Sequence, residues 1–551
     1  MGTSPLDRGP GPLSRRRFLA LAALAAGAPR RLAGQPLAAS PTAETPRRGG
    51  ELIVATWDEP ISLDPANTAL AGLDPVRLIF DTLVVLGPDL TARPALAESW
   101  SVSPDGTAYT FRLRRGVRFH DGTPLDAAAV RFNLDRATGS EAKANFTISL
   151  AGVYRRTEVI DPLTARVVLS RPYAPFLDGL AEGYHSLVSP AALARYGRDF
   201  DRHPVGSGPG VFQELISKGH VTVRRNPDYA WGPPSFRHQG PMHPDSVTFR
   251  LVPESATRLA TIETDEVHVA EEIPPEEVGR LGQHPRLRIL SRVAPGTSAQ
   301  LMLNTSRPPL DDSRVRQALG YAVDQDQLSR ILFGGVLTAA RTLLAPGTLG
   351  HAERLAALSR TDRPRARMLL EAAGWRPGPD GVRSRDGTRL EVTIHIVRAS
   401  VQSLPLKVAE VLQAQLREVG IHLQIAQNDT AGLFAILNQG SQQMVLGWRQ
   451  GTDPDVLRPL FHSSFFGRSP VARIRFKDER LDDLIVRGSQ ELDRRRRQSI
   501  YEEIQEIAMR NALVVPLWYR HAFVAVSGTT RDVSLDGRGQ LHLYDAWLAG
   551  S

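Results

Sequence analysis

The 551-residue chain contains no cysteine. Disulfides, thiolate metal sites, a cysteine nucleophile and anchoring through a lipidated cysteine are therefore excluded. Lysine is nearly missing: Lys143, Lys218, Lys407 and Lys477 are the only ones, and arginine supplies the rest of the positive charge. No Gly-x-x-x-x-Gly-Lys-Ser/Thr occurs, so a phosphate-cradling loop is not supported. His-Glu-x-x-His and Gly-x-Ser-x-Gly are absent too, which removes the commonest signatures of zinc and serine hydrolases. Aromatic residues make up only 6% of the chain. No apolar run approaches the roughly 18 residues that a membrane-spanning helix needs. With 42% hydrophobic and 23% charged residues, the composition is that of a globular chain, long enough for several domains.

Positive charge is unevenly placed. The formal net charge is +8, but residues 1–47 hold seven arginines and only two acids. The remaining 60 basic and 57 acidic residues nearly balance, so no nucleic-acid partner is expected. Within the first segment, Ser14-Arg-Arg-Arg-Phe-Leu19 precedes an apolar Ala/Leu run to Ala28 and a Pro/Ala/Ser-rich tail. A basic segment, a short apolar stretch and small residues make an export signal, and the paired arginines before Phe-Leu fit the twin-arginine type. The mature protein is expected to be periplasmic, soluble and free of a lipid anchor.

Beyond residue 47, strand and helix patterns interleave, which predicts an α/β fold. Glu51-Leu-Ile-Val-Ala-Thr56 reads as a buried strand, and Tyr109–Arg114 alternates as a half-buried one. Helices are predicted over Leu125–Arg136, Ser313–Asp324, Pro364–Ala373 and Leu406–Val419. The last lies between strands at Arg389–Val397 and Ile421–Ile425, a parallel strand–helix–strand unit. Arg494–Met509 is a further helix, and the charge run Asp493–Arg497 before and within it reads as a solvated helix start. His238, His243 and His268 are expected to be unliganded rather than a metal site, and no cofactor is expected.

Several short motifs occur in order. They are Ser62-Leu-Asp-Pro65, Pro94–Trp100 followed by Ser103-Pro-Asp-Gly106, Phe111–Pro124, Val205-Gly-Ser-Gly-Pro209, Asn226-Pro-Asp-Tyr229, Asp311–Leu319 with Tyr321-Ala-Val-Asp324, and Gly447-Trp448 with Asp453-Pro454. In this order and spacing the chain resembles the large bacterial extracellular solute-binding proteins of the peptide/nickel/opine class (family 5), the binding subunits of ABC importers. The resemblance runs from about residue 50 to 528. It implies a periplasmic-binding-protein-like fold of two lobes around a cleft, with an additional inserted domain. Domain I would take about 48–80, 200–296 and 516–551, domain II 81–199, and domain III 297–515. The strands near 292–304 and 514–526 would cross between lobes as a hinge. His120, Gly206 and Gly208 would be architectural, as would Arg314 and Arg316.

The resemblance also implies the function: a monomeric protein, not an enzyme, that captures a small peptide-like solute and passes it to membrane permease subunits. A metal-chelate, sugar or opine carrier is the alternative within the family, and an exported enzyme or chemosensory binding protein lies outside it. Ligand-binding candidates follow from position: Trp57, Asp58 and Glu59 after the first strand, Ser207 at the lobe boundary, Thr297 and Ser298 before a hinge strand, and Trp448, Arg449 and Gln450 after a buried run. In peptide-binding relatives an Asp a few residues after Gly-Trp holds the ligand's α-amino group. Here the fourth residue after Gly447 is Gly451, so that carboxylate is absent or displaced. Two readings of the loop stay open. Either Trp448 stacks on the ligand while Arg449 pairs with an anionic group of it, or Trp448 is core and Arg449 surface.

Overall fold

The computed structural model describes residues 44–68, 73–139, 152–398 and 404–550. The twin-arginine segment lies outside the described residues. Every described helix and strand belongs to one unit, Pro46–Ser551.

Three sheets organise that unit. The largest has seven strands in the order Leu287–Val293, His521–Ser527, Val269–Ala270, Glu51–Thr56, Ser246–Leu251, His220–Arg225 and Gly210–Ile216. Glu51–Thr56 lies at its centre, parallel to both neighbours, with Leu52, Val54 and Ala55 fully buried. A central parallel strand is covered on both faces, which is why its sequence is an unbroken apolar run. The second sheet has five strands: His422–Asn428, Glu391–Val397, Met444–Gly447, Ala299–Leu303 and Val514–Trp518. The third is an antiparallel sheet of four strands, Ala97–Val102, Ala108–Leu113, Thr164–Leu169 and Tyr154–Asp161. In it Tyr109, Phe111 and Leu113 face inward, as the alternation predicts.

The expected strand–helix–strand unit is present. Val392, Ile394 and Ile396 alternate into the core, and helix Leu404–Arg417 buries Val408, Ala409, Leu412 and Leu416. The returning strand runs parallel, with Glu391 opposite His422.

Two sequence expectations need correction. The helix predicted to reach Asp324 stops at Ala322, and Asp324 instead caps the next helix, Gln325–Phe333, accepting from the Gln327 amide at 2.8 Å. Aspartate satisfies free amides better at a helix start than inside a helix. The charge run at Asp493–Arg497 is not solvated throughout. Arg497 is buried and donates from Nη1 and Nη2 to the Asp453 carboxylate, each at 2.6 Å.

Two short crossings join the seven- and five-stranded sheets. Leu287–Val293 leads through 294–298 into Ala299–Leu303, and Val514–Trp518 leads through 519–520 into His521–Ser527. The crossings run side by side: Val293 pairs with His521, the Ala294 amide donates to Arg520 O at 2.8 Å, and Ala299 pairs with Trp518.

The segment 206–208 packs so closely on residues 78–80 that only glycine fits. A Cβ on Gly206 would lie 2.1 Å from Ile79 O, and one on Gly208 2.3 Å from Leu78 O. His120 locks the same corner, its amide donating to Gly206 O at 2.8 Å and its Nε2–H to Gly208 O at 3.0 Å. Burial pushes the His120 imidazole down to about 4, so it stays neutral here. We expect Gly206→Ala to lower unfolding stability by about 2–3 kcal/mol, because backbone rather than a flexible side chain must move. A urea midpoint unchanged from the parent would contradict this close approach.

Candidate ligand site beside the strand crossings

The loop 448–450 leaves the five-stranded sheet at Gly447 and is stitched to the first crossing. The Arg449 amide donates to Thr297 Oγ1 at 2.8 Å, and the Thr297 amide donates back to Arg449 O at 2.9 Å. Gln450 pairs with Gly296, which has a φ of +111°. A Cβ on Gly296 would fall 2.3 Å from Arg449 O, so glycine is what lets the strands approach. Ser298 is fully buried and its hydroxyl donates to Leu343 O at 3.3 Å. The structure therefore brings Thr297, Ser298, Trp448, Arg449 and Gln450 together, but the Thr297 hydroxyl is engaged by the loop and the Ser298 hydroxyl by Leu343.

Trp448 is 44% exposed, one of the larger apolar side chains left open to solvent. The guanidinium of Arg520, from the second crossing, sits over its ring at 5.1 Å from the centroid. Arg449 is half-buried, and burial lowers its affinity for the proton. Arg473 lies next to it: burial and the Arg449 charge together push its guanidinium down to about 10. Arg473 and Arg520 carry no local motif, so sequence reading missed both. Only the tertiary approach of the 470s segment and the second crossing reveals them.

The other sequence candidates sit elsewhere. Trp57 is 39% exposed at the end of the central strand. Asp58 accepts from the neighbouring Glu59 amide, and Glu59 accepts from Ser217 Oγ and the Lys218 amide, both at 2.9 Å. Glu59 ties this loop to the turn of the Gly210–Ile216/His220–Arg225 hairpin. Ser207 is fully buried and donates to Asp81 Oδ2 at 2.9 Å, alongside Trp231 and Tyr229. Burial pushes Asp81 up to about 6, against these three donors.

The acids after Gly-Trp are engaged as well. Asp453 is held by Arg497, while Asp455 takes Arg458, Tyr501 and Tyr173. Gly451 stands where the amine-holding acid would be, with φ +154°. The histidines also have structural roles. His268 Nδ1 accepts from the Ile53 amide at 3.0 Å, and His238 stacks on Tyr544. Among the described residues no cluster of histidine and acid groups is arranged to hold a metal, and no helix is long and apolar enough to cross a membrane.

An α/β architecture built on two large sheets joined by paired crossings, with an open aromatic and a basic cluster beside them, defines a solute-binding protein. The comparisons agree. The family model "Bacterial extracellular solute-binding proteins, family 5 Middle" matches residues 91–467. The glutathione-binding protein GsiB of Salmonella paratyphi A is 30% identical over 500 residues, covering 88% of this chain and 92% of that protein. NikA from Brucella suis, solved with Fe(III)-EDTA, has a TM-score of 0.78 at 25% identity and covers 90% of this chain and 100% of that one. DppA from Helicobacter pylori, solved with the peptide STSA, has a TM-score of 0.74 at 25% identity, over 92% and 99%. This chain belongs to the bacterial extracellular solute-binding proteins of family 5, the binding subunits of ABC importers, and has their two-lobed fold. These relatives are solute-binding proteins rather than enzymes.

Near this site the segment 173–178 touches the segment 452–489. Thr452 Oγ1 donates to Asp178 Oδ2 at 2.7 Å, Tyr173 OH to Asp455 at 3.3 Å, and the Ala174 amide to Ser489 O at 2.8 Å. Burial and then the Asp453 charge push Asp178 up to about 7, against Thr452 and Arg538. A raised carboxyl favours this docked arrangement fully below its ordinary value near 4 and progressively less as pH rises through about 7. The thermal midpoint should therefore fall between pH 6 and pH 8, and Asp178→Asn should flatten that fall. Equal slopes in the two proteins would exclude Asp178 as the group responsible.

Proposed function

We propose that this chain is exported to the periplasm and works as a monomer. In this reading it captures a small peptide-like solute by closing two lobes and hands the solute to the permease subunits of an ABC importer. The lobes would be 48–80 with 200–296 and 516–551 on one side and 297–515 on the other, with 81–199 inserted in the first. The strands of each sheet fall within these ranges, except that Val514–Trp518 straddles the last boundary. The paired crossings are the hinge in this reading. Two strands side by side can bend together while each sheet stays rigid.

One observation carries the proposal. Trp448 is exposed on a loop fixed to one crossing and lies under Arg520 from the other, so an aromatic platform sits where lobe movement would enclose a ligand. In this site Trp448 stacks on the solute and Arg449 pairs with an anionic group of it. GsiB is named for glutathione, and DppA was solved with a peptide, which supports a peptide-like solute. A carrier of metal chelates is the second reading, favoured by the likeness to NikA with Fe(III)-EDTA.

The test is to titrate the mature protein with glutathione, short peptides and chelates while following its radius of gyration by solution scattering. A binding protein compacts with one solute per chain and returns that solute chemically unchanged. Trp448→Ala should weaken the tightest-binding solute about three- to tenfold, the range for a lost aromatic contact. Turnover of the solute, or binding without compaction, would exclude this reading.

A further inference from the structure

Three buried guanidiniums show how this fold compensates arginine. Arg258 donates to the carbonyls of Val252, Pro253, Glu271 and Glu272. Arg316 donates to those of Leu310, Asp311 and Asn511. Arg497 holds Asp453 and also donates to Gly488 O. Each of these guanidiniums is spent on the fold.

Arg449, Arg473 and Arg520 are different. Among the described residues, the Arg449 and Arg520 side chains make no hydrogen bond, and Arg449 Nε and Arg520 Nη1 are buried without a partner. Arg473 donates only from Nε, to Pro470 O at 3.0 Å. None of the three forms an ion pair, and Arg520 alone feels an acid, Glu272. All three are half-buried, and a cation drawn partly out of water without a counter-charge is unfavourable, the more so with a second beside it.

Gln300 completes the arrangement. It is fully buried, and neither its amide nitrogen nor its amide oxygen has a partner. It lies directly opposite Gly447 in the antiparallel pair, and opposed residues project to the same face of a sheet. On that face a Cβ on Gly447 would lie 2.8 Å from Arg473 Nη1. Glycine thus lets the Arg473 guanidinium reach over the strand to the face that carries the Gln300 amide.

We propose that Arg449, Arg473 and Gln300, flanked by Arg520 over Trp448, form a site for a solute bearing at least two carboxylates. One carboxylate takes the planar forks of Arg449 and Arg473 with the Gln300 amide donating to it, and the second meets Arg520 while the solute's body lies on Trp448. Guanidinium forks match carboxylates in geometry as well as charge. An acidic peptide and a polycarboxylate metal chelate share this chemistry. The inference deepens the proposed binding function and rests on it.

The experiment uses the mature protein and four probes: glutathione, Fe(III)-citrate, citrate alone, and a tripeptide of neutral side chains with a C-terminal amide. Affinity is read by calorimetry and compaction by solution scattering. We expect at least one carboxylate probe to bind and compact the protein, and the neutral peptide to fail. Glutathione binding alone identifies an acidic-peptide site, whereas Fe(III)-citrate without citrate identifies a chelate site. Arg473→Met should weaken the binding probe about tenfold to hundredfold, as expected for a lost charge-assisted contact. It should also leave the ligand-free thermal midpoint unchanged or raised, because a half-buried cation without a counter-charge is removed. Gln300→Leu should weaken the same probe without lowering that midpoint. If the neutral peptide binds and compacts the protein as well as the acidic probes do, the charge inference falls and the binding function stands. The charge inference also falls, alone, if Arg473→Met loses stability while keeping full affinity. If no probe binds or compacts the protein, the binding function and the inference fall together.

Discussion

The paired crossing of two chain segments between the seven- and five-stranded sheets is the constraint on which the rest depends. Ala294 is bonded to Arg520 and Thr297 to Arg449, so the two segments run as a short ribbon beside the loop at 448–450. A ribbon of two strands resists twisting and separation more than bending. It therefore fixes which faces of the two halves oppose each other. It also fixes where side chains from either crossing, such as Thr297 and Arg520, can meet the loop after Gly447.

Glycine enters this architecture through close approach more than through flexibility. Gly206 and Gly208 let one segment lie against the backbone of 78–79, Gly296 lets the first crossing lie against Arg449 O, and Gly447 gives Arg473 its passage across a strand. In each case the missing Cβ allows two main chains, or a main chain and a guanidinium, to touch. The polar residues nearby do complementary work. His120 through its Nε2, Ser207 with Asp81, and Asp453 with Arg497 make hydrogen bonds that hold the corners of this frame.

Electrostatics separates two kinds of environment within one residue type. Arginine is the main cation throughout this chain, so its presence in a motif carries little information. What distinguishes Arg449, Arg473 and Arg520 among the described residues is that none has a carboxylate partner and that Arg473 Nε alone reaches a carbonyl, that of Pro470. Burial lowers the proton affinity of all three. The acids that follow the Gly-Trp pair, Asp453 and Asp455, are taken up by Arg497 and Arg458.

The sequence alone determined the element types, because periodicity and end signals are local. The apolar run at 51–56, the alternation at 109–113, the helix capped at Asp126 and the parallel unit at 391–428 all follow from residues near one another in the chain. Ordered motifs spread over more than 400 positions determined the family. The sequence also placed Trp448 and Arg449 together, since they are neighbours on one loop. Tertiary structure decided everything that depends on long-range partners. Asp324 caps the following helix instead of extending its own, and Arg497 turns inward from a charge run because Asp453 waits there. Ser207 is drawn into the Asp81 network, while Arg473 arrives beside Gly447 and Arg520 beside Trp448 from segments with no motif of their own. Burial and charge compensation are sums over neighbours in space, and a linear pattern does not contain them.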